Sequence, residues 1–244
     1  MKKSILLFFL IILSNFILIA QVKKNIDCQS LVWTRYYNQL DLNSRWSIHS
    51  EFDNRIFINP MVQNLFVVRV QGRYKIFEQV EFGAGFAYFS LATQEPEDVS
   101  EFNKPEYRGQ QDLTVKQTWG EINFNQRYQI EERFFQNFDS QGLKSGTTFT
   151  MRFRYKLQAD RIFWKDKKHF LKAVISDEIM INVGNKIIEN TFDQNRIYGG
   201  LQFGFNSNLA LEMGYLNSFQ QRSTGVDYFN RNIIRLSIYH KLSI

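Results

Sequence analysis

Three histidines are the residues of this chain best suited to acid–base or nucleophilic chemistry: His49, His169 and His240. His49 has the richest surroundings, because Ser47, Glu51 and Asp53 lie at intervals of two residues in one extended segment. Residues at such intervals share one face of a strand. A serine, a histidine and a carboxylate within hydrogen-bond reach can perform acyl transfer. A histidine that bonds only to a neighbouring carboxylate gives the same pattern, so a lipid-active hydrolase using His49 is an alternative and we expect no enzyme.

The other chemical signals are weaker. Ser237 and Ser243 flank His240 but fall on the opposite face of a strand, and His169 follows the basic segment WKDKK in a turn. Cys28 is the sole cysteine, which excludes an internal disulfide and a paired-cysteine metal site. No glycine-rich phosphate loop or nucleophile elbow is present. We therefore expect no cofactor and no catalytic or metal-binding residues.

Charged side chains at every second position form another candidate site. In residues 149–160, FTMRFRYKLQAD, Arg152, Arg154 and Lys156 alternate with apolar residues. Carboxylates recur in the same way in other segments, so cations and anions would neutralise one another if they all faced one interior. The predicted interior charges are Glu51, Asp53, Arg69, Arg73, Glu121, Arg127, Glu131, Arg152, Arg154, Lys156, Glu178, Glu212 and Arg235.

The elements that position these charges are strands. Successive side chains of a strand point to opposite faces, so residues 149–160 have one apolar and one charged face. A tilted strand of about nine to eleven residues spans a bilayer. A cation at the bilayer midplane costs about 2–4 kcal/mol, so the charged face must point inward. The same period recurs to the last residue, which predicts an all-β, antiparallel, up-and-down transmembrane β-barrel.

The connections between strands alternate between tight and long. The tight ones lie at residues 41–45, 76–79, 116–120, 164–168 and 206–208, whereas the longer ones lie at 58–62, 91–105, 137–146, 184–193 and 220–227. Short turns are periplasmic in bacterial barrels and long loops face outward. The pattern gives eleven strands, but bacterial barrels normally have an even number. We predict about twelve (10–12), with residues 21–30 as the extra strand, or ten if the first turn is misassigned.

The N-terminus predicts export. Lys2 and Lys3 precede an apolar run that ends at Ala20, which is typical of a cleaved signal peptide over residues 1–20, with a retained anchor as the rival. Residues 21–244 then form a single barrel domain. Loss of the two lysines lowers the formal net charge from +6 to +4, and this mild excess is spread over many strands. We therefore expect no nucleic-acid partner.

Alternation alone also fits a soluble periplasmic barrel or sandwich. Long strands, only three prolines and the repeated charged face favour the membrane barrel in the bacterial outer membrane. Its expected partners are outer-membrane lipid, the barrel-assembly machinery and either a small solute or an extracellular ligand. We expect a monomer with a charged, largely occluded lumen and a structural, binding or narrow-pore role. Residues 91–105 and 184–193 are the predicted binding loops.

Several motifs in order resemble domain-of-unknown-function family 2490. They include GAGFAY at residues 83–88, EYRGQQ at 106–111, NQRYQIEERF at 125–134, MRFRY at 151–155 and LEMGY at 211–215. The resemblance covers nearly all of residues 21–244 and implies an outer-membrane barrel of Bacteroidetes-type bacteria with no established activity. Tyr107-Arg108 and Gln126-Arg127 stand where the family often has His-Arg, so a role for those histidines would not transfer.

Overall fold

Eleven β-strands make up the regular structure of the described residues. A computed structural model describes residues 24–98, 102–139, 142–184, 187 and 190–244, so the predicted signal peptide and residues 21–23 lie outside the described range. The strands are β1 (Ile26–Asp41), β2 (Trp46–Phe57), β3 (Gln63–Phe77), β4 (Val80–Leu91), β5 (Lys104–Trp119), β6 (Ile122–Asp139), β7 (Gly142–Lys165), β8 (Phe170–Val183), β9 (Phe192–Gly204), β10 (Leu209–Gln221) and β11 (Tyr228–Ser243).

The strands form one closed barrel in sequence order. Each pairs antiparallel with the next, whereas β1 and β11 pair in parallel from Ile26↔Tyr228 to Asp41↔Ser243. The prediction of an all-β up-and-down barrel is confirmed. The described residues form eleven strands, which lies within the predicted range of 10–12, and the preferred twelfth strand is not confirmed, because Ile26–Ser30 extends β1 instead of forming a strand of its own. An odd number of alternating strands brings the first and last together in the same direction, which explains the parallel seam.

The barrel has two distinct ends. The turn end carries the β1–β2, β3–β4, β5–β6, β7–β8 and β9–β10 connections, and the loop end carries the others. Ile244 N donates to Asp41 O at 3.2 Å at the turn end, and Tyr228 N donates to Asn25 O at 2.9 Å at the loop end. The predicted loop at 137–146 is instead a hairpin in which β6 and β7 pair as far as Asp139↔Gly142.

Apolar side chains cover the outside of the barrel and polar ones fill the inside. Phe86, Ile175 and Ile197 are 78%, 62% and 59% exposed, whereas Glu131 has no exposed surface. Asp177 is an exception on the outer face, where its Oδ1 accepts a hydrogen bond from Asn195 Nδ2 at 2.7 Å. In the described part of the chain no helix has the length and apolarity needed to cross a membrane.

Candidate functional site

Twelve of the thirteen predicted interior charges face the inside of the barrel. They face inward because successive side chains of a strand point to opposite faces, with the apolar residues exposed and the polar residues covered. Glu121 is the exception and corrects the prediction. It lies in the β5–β6 turn, where its side chain is 73% exposed and pairs with Arg161. The turn interrupts the alternation of side chains, so a residue's position in the series no longer indicates which face it lies on.

The upper cluster, which we define as Glu106, Arg108, Glu131, Arg133, Arg152 and Asp193, crosses the interior toward the loop end. Glu131 Oε2 accepts from Arg152 Nη2 at 2.5 Å and from Arg108 Nη1 at 3.2 Å. Arg108 and Arg133 also donate to Glu106 at 2.6 and 2.7 Å. Arg152 Nη1 reaches Asp193 Oδ2 at 2.7 Å. Charge-assisted bonds of this kind are the strong ones, so the cluster ties four strands together.

Arg154 connects the upper cluster to a second buried carboxylate. Its Nη1 donates to Glu131 Oε1 at 2.6 Å and its Nη2 donates to Glu178 Oε1 at 2.7 Å. Glu178 also accepts from Arg127 Nη2 at 2.7 Å. Three strands, β6, β7 and β8, supply these groups, and the buried charges are compensated within the network.

A third group of ion pairs depends on a glycine. Arg73 Nη2 lies 2.9 Å from Asp112 Oδ1, and Arg73 also pairs with Glu81. A Cβ at Gly83 would lie 2.8 Å from Asp112 Oδ2 and 2.9 Å from Arg73 Nη1. Any larger residue at position 83 would therefore push against the ion pair, which explains the glycine at this position.

Glu212 organises the interior on the other side of the barrel. Its Oε1 accepts from Arg235 Nη2 and from the Tyr198 hydroxyl, both at 2.8 Å. The Tyr239 hydroxyl donates to the same oxygen at 3.3 Å and itself accepts from Arg35. Arg35 thus contacts the Glu212 carboxylate only through a phenol.

A cavity of about 140 Å³ lies among these networks. Its lining is strongly cationic, with nine arginine or lysine side chains against three carboxylates. The cations are Arg35, Arg55, Arg69, Arg73, Arg127, Arg154, Lys156, Arg196 and Arg235, and the carboxylates are Glu51, Asp53 and Glu178. Trp33, Tyr37, Tyr198 and Leu216 contribute the apolar part. We call this the central cavity.

Several buried donors at the central cavity have no protein partner among the described residues. They are Trp33 Nε1, Gln110 Nε2 and the Nε–H groups of Arg35, Arg69, Arg127, Arg196 and Arg235. A buried polar group that stays unsatisfied costs about 1–3 kcal/mol. The side chains that carry these donors line the central cavity, which is therefore suited to bind a negatively charged group.

The central cavity connects differently to the two ends. A hollow of about 520 Å³ opens at the turn end and shares Arg35, Tyr37, Lys156 and Arg235 with the central cavity. A larger hollow of about 1090 Å³ at the loop end is lined by Arg133 and Asp193 of the upper cluster. It shares no lining residue with the central cavity. The upper cluster therefore separates the central cavity from the loop end.

The β4–β5 loop also covers the loop end. Arg231 Nη2 of β11 donates to Gln94 O at 3.1 Å and to Gln94 Oε1 at 2.7 Å. Gln29 Nε2 of β1 donates to Gln94 O at 3.1 Å, and Arg222 pairs with Glu95. These partners lie on β1, on β11 and in the β10–β11 loop, none of which adjoins β4 or β5, so residues 92–98 cross the mouth of the barrel. We call this segment the mouth loop.

The structure brings together only part of the predicted histidine site. Ser47 Oγ lies 3.1 Å from His49 Nε2, while the other ring nitrogen bonds to the Tyr37 hydroxyl. The two carboxylates are used elsewhere, since Glu51 pairs with Arg69 at 2.8 Å and Asp53 with Arg55 at 2.7 Å. Among the described residues, no carboxylate therefore bonds to the His49 ring, unlike the ring of a Ser-His-Asp triad.

The remaining histidines have structural contacts. His240 faces outward and its Nδ1 lies 2.8 Å from the Tyr36 hydroxyl. His169 ends the β7–β8 turn, where the backbone N–H groups of Lys168 and His169 donate to Asp166 Oδ1 at 2.7 Å. These hydrogen bonds, with that from His169 as the largest cause, lower the pKa of Asp166 to about 2. Among the described residues, no group of histidine, cysteine, aspartate or glutamate side chains could hold a metal ion.

Sequence reasoning missed several cations of the interior. Arg35 was overlooked because the inward positions of β1 include Leu31 and Trp33, so this strand has no clean charged face. Arg196 lies just after a register shift between β8 and β9, which disturbs the count. Arg55 and Arg108 follow the alternation of Asp53 and Glu106, and extension of the charged series by two residues would have found them.

The chain is similar to several known proteins. The model of the family described as "Protein of unknown function (DUF2490)" matches residues 31–230. A solved structure titled "NanC porin structure in rhombohedral crystal form" is 13% identical, with a TM-score of 0.49, over 87% of this chain and 99% of that chain. "LpxR from Salmonella typhimurium" is 9% identical, with a TM-score of 0.46, over 80% and 83%. No curated protein matches the chain.

Proposed function

This chain belongs to the DUF2490 family of proteins of unknown function, and we propose that it is a monomeric outer-membrane β-barrel that binds a small solute in a closed interior. The single observation that carries the binding role is the cationic central cavity, which lies below a continuous ion-pair cluster. Outer-membrane lipid and the barrel-assembly machinery are its proposed partners during and after folding.

The outer surface supports the membrane location. Large apolar side chains such as Phe52, Val70 and Leu201 are each about half exposed, at 46%, 48% and 53%. Soluble monomers rarely expose contiguous apolar patches larger than a few hundred Å². A lipid environment would cover this surface, whereas a soluble periplasmic barrel would leave it in water. Membrane fractionation of cells that express the protein tests this: recovery in the outer-membrane fraction is expected, and recovery in the periplasm would contradict the proposal.

The upper cluster supports a closed interior. Glu131 is fully buried and contacts three arginines from β5 and β7, and in the described part of the chain the central cavity and the loop-end hollow share no lining residue. Barrels of about eight strands are filled by side chains, and only much wider ones leave an aqueous channel. The mouth loop adds a second cover at the loop end. The interior is thus suited to hold a small solute from one end, and a free pore is disfavoured.

Conductance in a planar bilayer tests the closed interior. The refolded protein is first shown to be folded by its heat-dependent gel mobility, and it is then inserted in symmetric salt. We expect no discrete conductance steps from the wild-type barrel. Steady, salt-dependent steps would contradict the closed interior and make the protein a narrow pore.

A lipid-active hydrolase is the second candidate, because Ser47 Oγ and His49 Nε2 lie 3.1 Å apart. We place it second, since the Nδ1 partner is a phenol and both nearby carboxylates pair with arginines. Wild type, Ser47→Ala and His49→Ala are compared in a lipid-ester hydrolysis assay. We expect no hydrolysis by any of them, and activity that both substitutions abolish would favour the hydrolase.

A further inference from the structure

The charge of the central cavity is not balanced by the protein that surrounds it. Its lining has six more cations than carboxylates. Most of the arginines have an acidic partner, for example Arg69 with Glu51 at 2.8 Å and Arg235 with Glu212 at 2.8 Å. The excess therefore concentrates on a few side chains, and buried like charges without counter-charge are unfavourable.

Arg35 and Lys156 are the two lining cations that have no carboxylate partner among the described residues. Within the described part of the chain, neither forms an ion pair with a carboxylate: Arg35 donates to the Tyr239 hydroxyl and Lys156 Nζ donates to Gln158 Oε1 at 3.0 Å. Both line the central cavity, and both also line the hollow at the turn end. The two cations therefore stand at the junction between the cavity and its open side.

The unpartnered hydrogen-bond donors of the lining side chains, like their positive charge, indicate an anionic ligand. Arg35 and Arg235 line the junction with the turn end, and Arg69, Arg127 and Arg196 line the rest of the cavity. Each has a buried Nε–H group without a protein acceptor among the described residues. Guanidinium groups present planar donors that match the oxygens of phosphate and carboxylate.

We infer that the central cavity binds a phosphate-class dianion, either inorganic phosphate or a small phosphate monoester, which enters from the turn end. This inference rests on the proposed closed interior and names its ligand class. The volume of about 140 Å³ has room for several waters or for one tetrahedral oxyanion, since a water occupies about 30 Å³ in the liquid. A monoester would extend its organic part into the adjoining hollow of about 520 Å³.

The chemistry favours a phosphate over a monovalent anion. The two lining cations without a carboxylate partner, Arg35 and Lys156, are compensated by the two negative charges of a phosphate better than by one. Cationic side chains from different strands line the cavity, and a tetrahedral oxyanion accepts from several directions at once. A chloride ion would compensate less charge and would accept without directional preference.

Titration calorimetry of the folded, detergent-solubilised protein tests the site. Inorganic phosphate is added at low ionic strength to the wild type, to Arg35→Gln and to Lys156→Gln. Neither substitution breaks an ion pair with a carboxylate, so folding is expected to persist, and heat-dependent gel mobility checks it. Arg161→Gln is the control, because Arg161 is an exposed cation at the turn end that pairs with Glu121 outside the cavity.

We expect saturable 1:1 binding that each interior substitution weakens by about tenfold, as for the loss of one charge-assisted hydrogen bond, while Arg161→Gln binds like the wild type. Glycerol 3-phosphate is titrated in a second arm, and competition with inorganic phosphate would show that a monoester uses the same cavity. Absence of saturable phosphate binding, or binding that neither interior substitution weakens, would overturn the inference.

The conductance measurement separates this inference from the proposed function. If the barrel neither conducts ions nor binds phosphate, the closed interior is supported and the phosphate site is overturned. If the barrel conducts ions and binds phosphate, and Arg35→Gln weakens that binding as expected, the closed interior is overturned and the phosphate site is supported.

Discussion

Arg152 Nη2 lies 2.5 Å from Oε2 of Glu131, a carboxylate with no exposed surface. The same carboxylate meets Arg108 at 3.2 Å and Arg154 at 2.6 Å, so one acid from β6 compensates three bases from its two neighbouring strands. The upper cluster therefore depends on Glu131 more than on any of the arginines, each of which has a second carboxylate partner.

Replacement of Glu131 by glutamine should strongly destabilise the barrel. Loss of one partner of a buried ion pair costs about 3–5 kcal/mol, because the remaining charges stay buried without compensation. We expect a decrease of about 3 kcal/mol in the free energy of unfolding, measured by urea titration in detergent. Glu121→Gln is the matched control: its pair with Arg161 is exposed, and such pairs contribute about 1 kcal/mol or less. Equal effects of the two substitutions would contradict the central role of Glu131.

Replacement of Arg231 by alanine should release the mouth loop. Arg231 donates two hydrogen bonds to Gln94, and hydrogen bonds to charged groups contribute about 1.5–3 kcal/mol. We expect cleavage after Glu97 by a glutamyl endopeptidase to become roughly tenfold faster. Arg161→Ala, which removes a cation at the opposite end, should leave the rate unchanged, and an unchanged rate in Arg231→Ala would show that other contacts hold the loop.

The parallel pairing of β1 with β11 predicts that a disulfide can be engineered between these two strands. Cys28 of β1 and Asn230 of β11 are register partners. Neighbouring strands are about 4.8 Å apart, which lies within the Cα separation of about 4.4–6.8 Å that disulfides allow. Asn230→Cys should therefore link to Cys28 on mild oxidation, as detected by mass spectrometry of the linked peptides.

Asn217→Cys is the control for the seam. It places the thiol on β10, two strands from β1 and thus about 10 Å away, so it should not link. A twelfth strand between β1 and β11 would prevent the Asn230→Cys link as well, and that outcome would contradict the eleven-strand closure.

The β7–β8 turn should titrate at low pH. Backbone N–H groups hold the pKa of Asp166 at about 2, below its ordinary value of 3.8. A depressed pKa means that the carboxylate's contribution to the turn is full above pH 4 and is lost as the pH falls through about 2. The amide proton shifts of Lys168 and His169 should follow this midpoint by NMR. They should not do so in Asp166→Asn, and a wild-type midpoint near 4 would refute the hydrogen-bonded turn.

The sequence by itself determined the barrel and the faces of its strands. Alternation has a period of two in any strand, so residues 149–160 indicate which side chains face outward and which face inward without reference to any tertiary contact. The alternation of tight and long connections likewise indicates which connections lie at each end of the barrel. Where the alternation was interrupted, as at the Glu121 turn and at the β8–β9 register shift before Arg196, the assignment failed or was missing.

Only the tertiary structure decided how the barrel closes and which charges meet. Closure depends on the pairing of β1 with β11, about 200 residues apart, and no local pattern specifies a partner at that distance. The same holds inside the barrel, where Arg152 meets Asp193 of another hairpin and Arg35 meets Tyr239 across the seam. The excess of cations at the central cavity is a property of the closed ring, because it arises only when side chains from non-adjacent strands converge on one space.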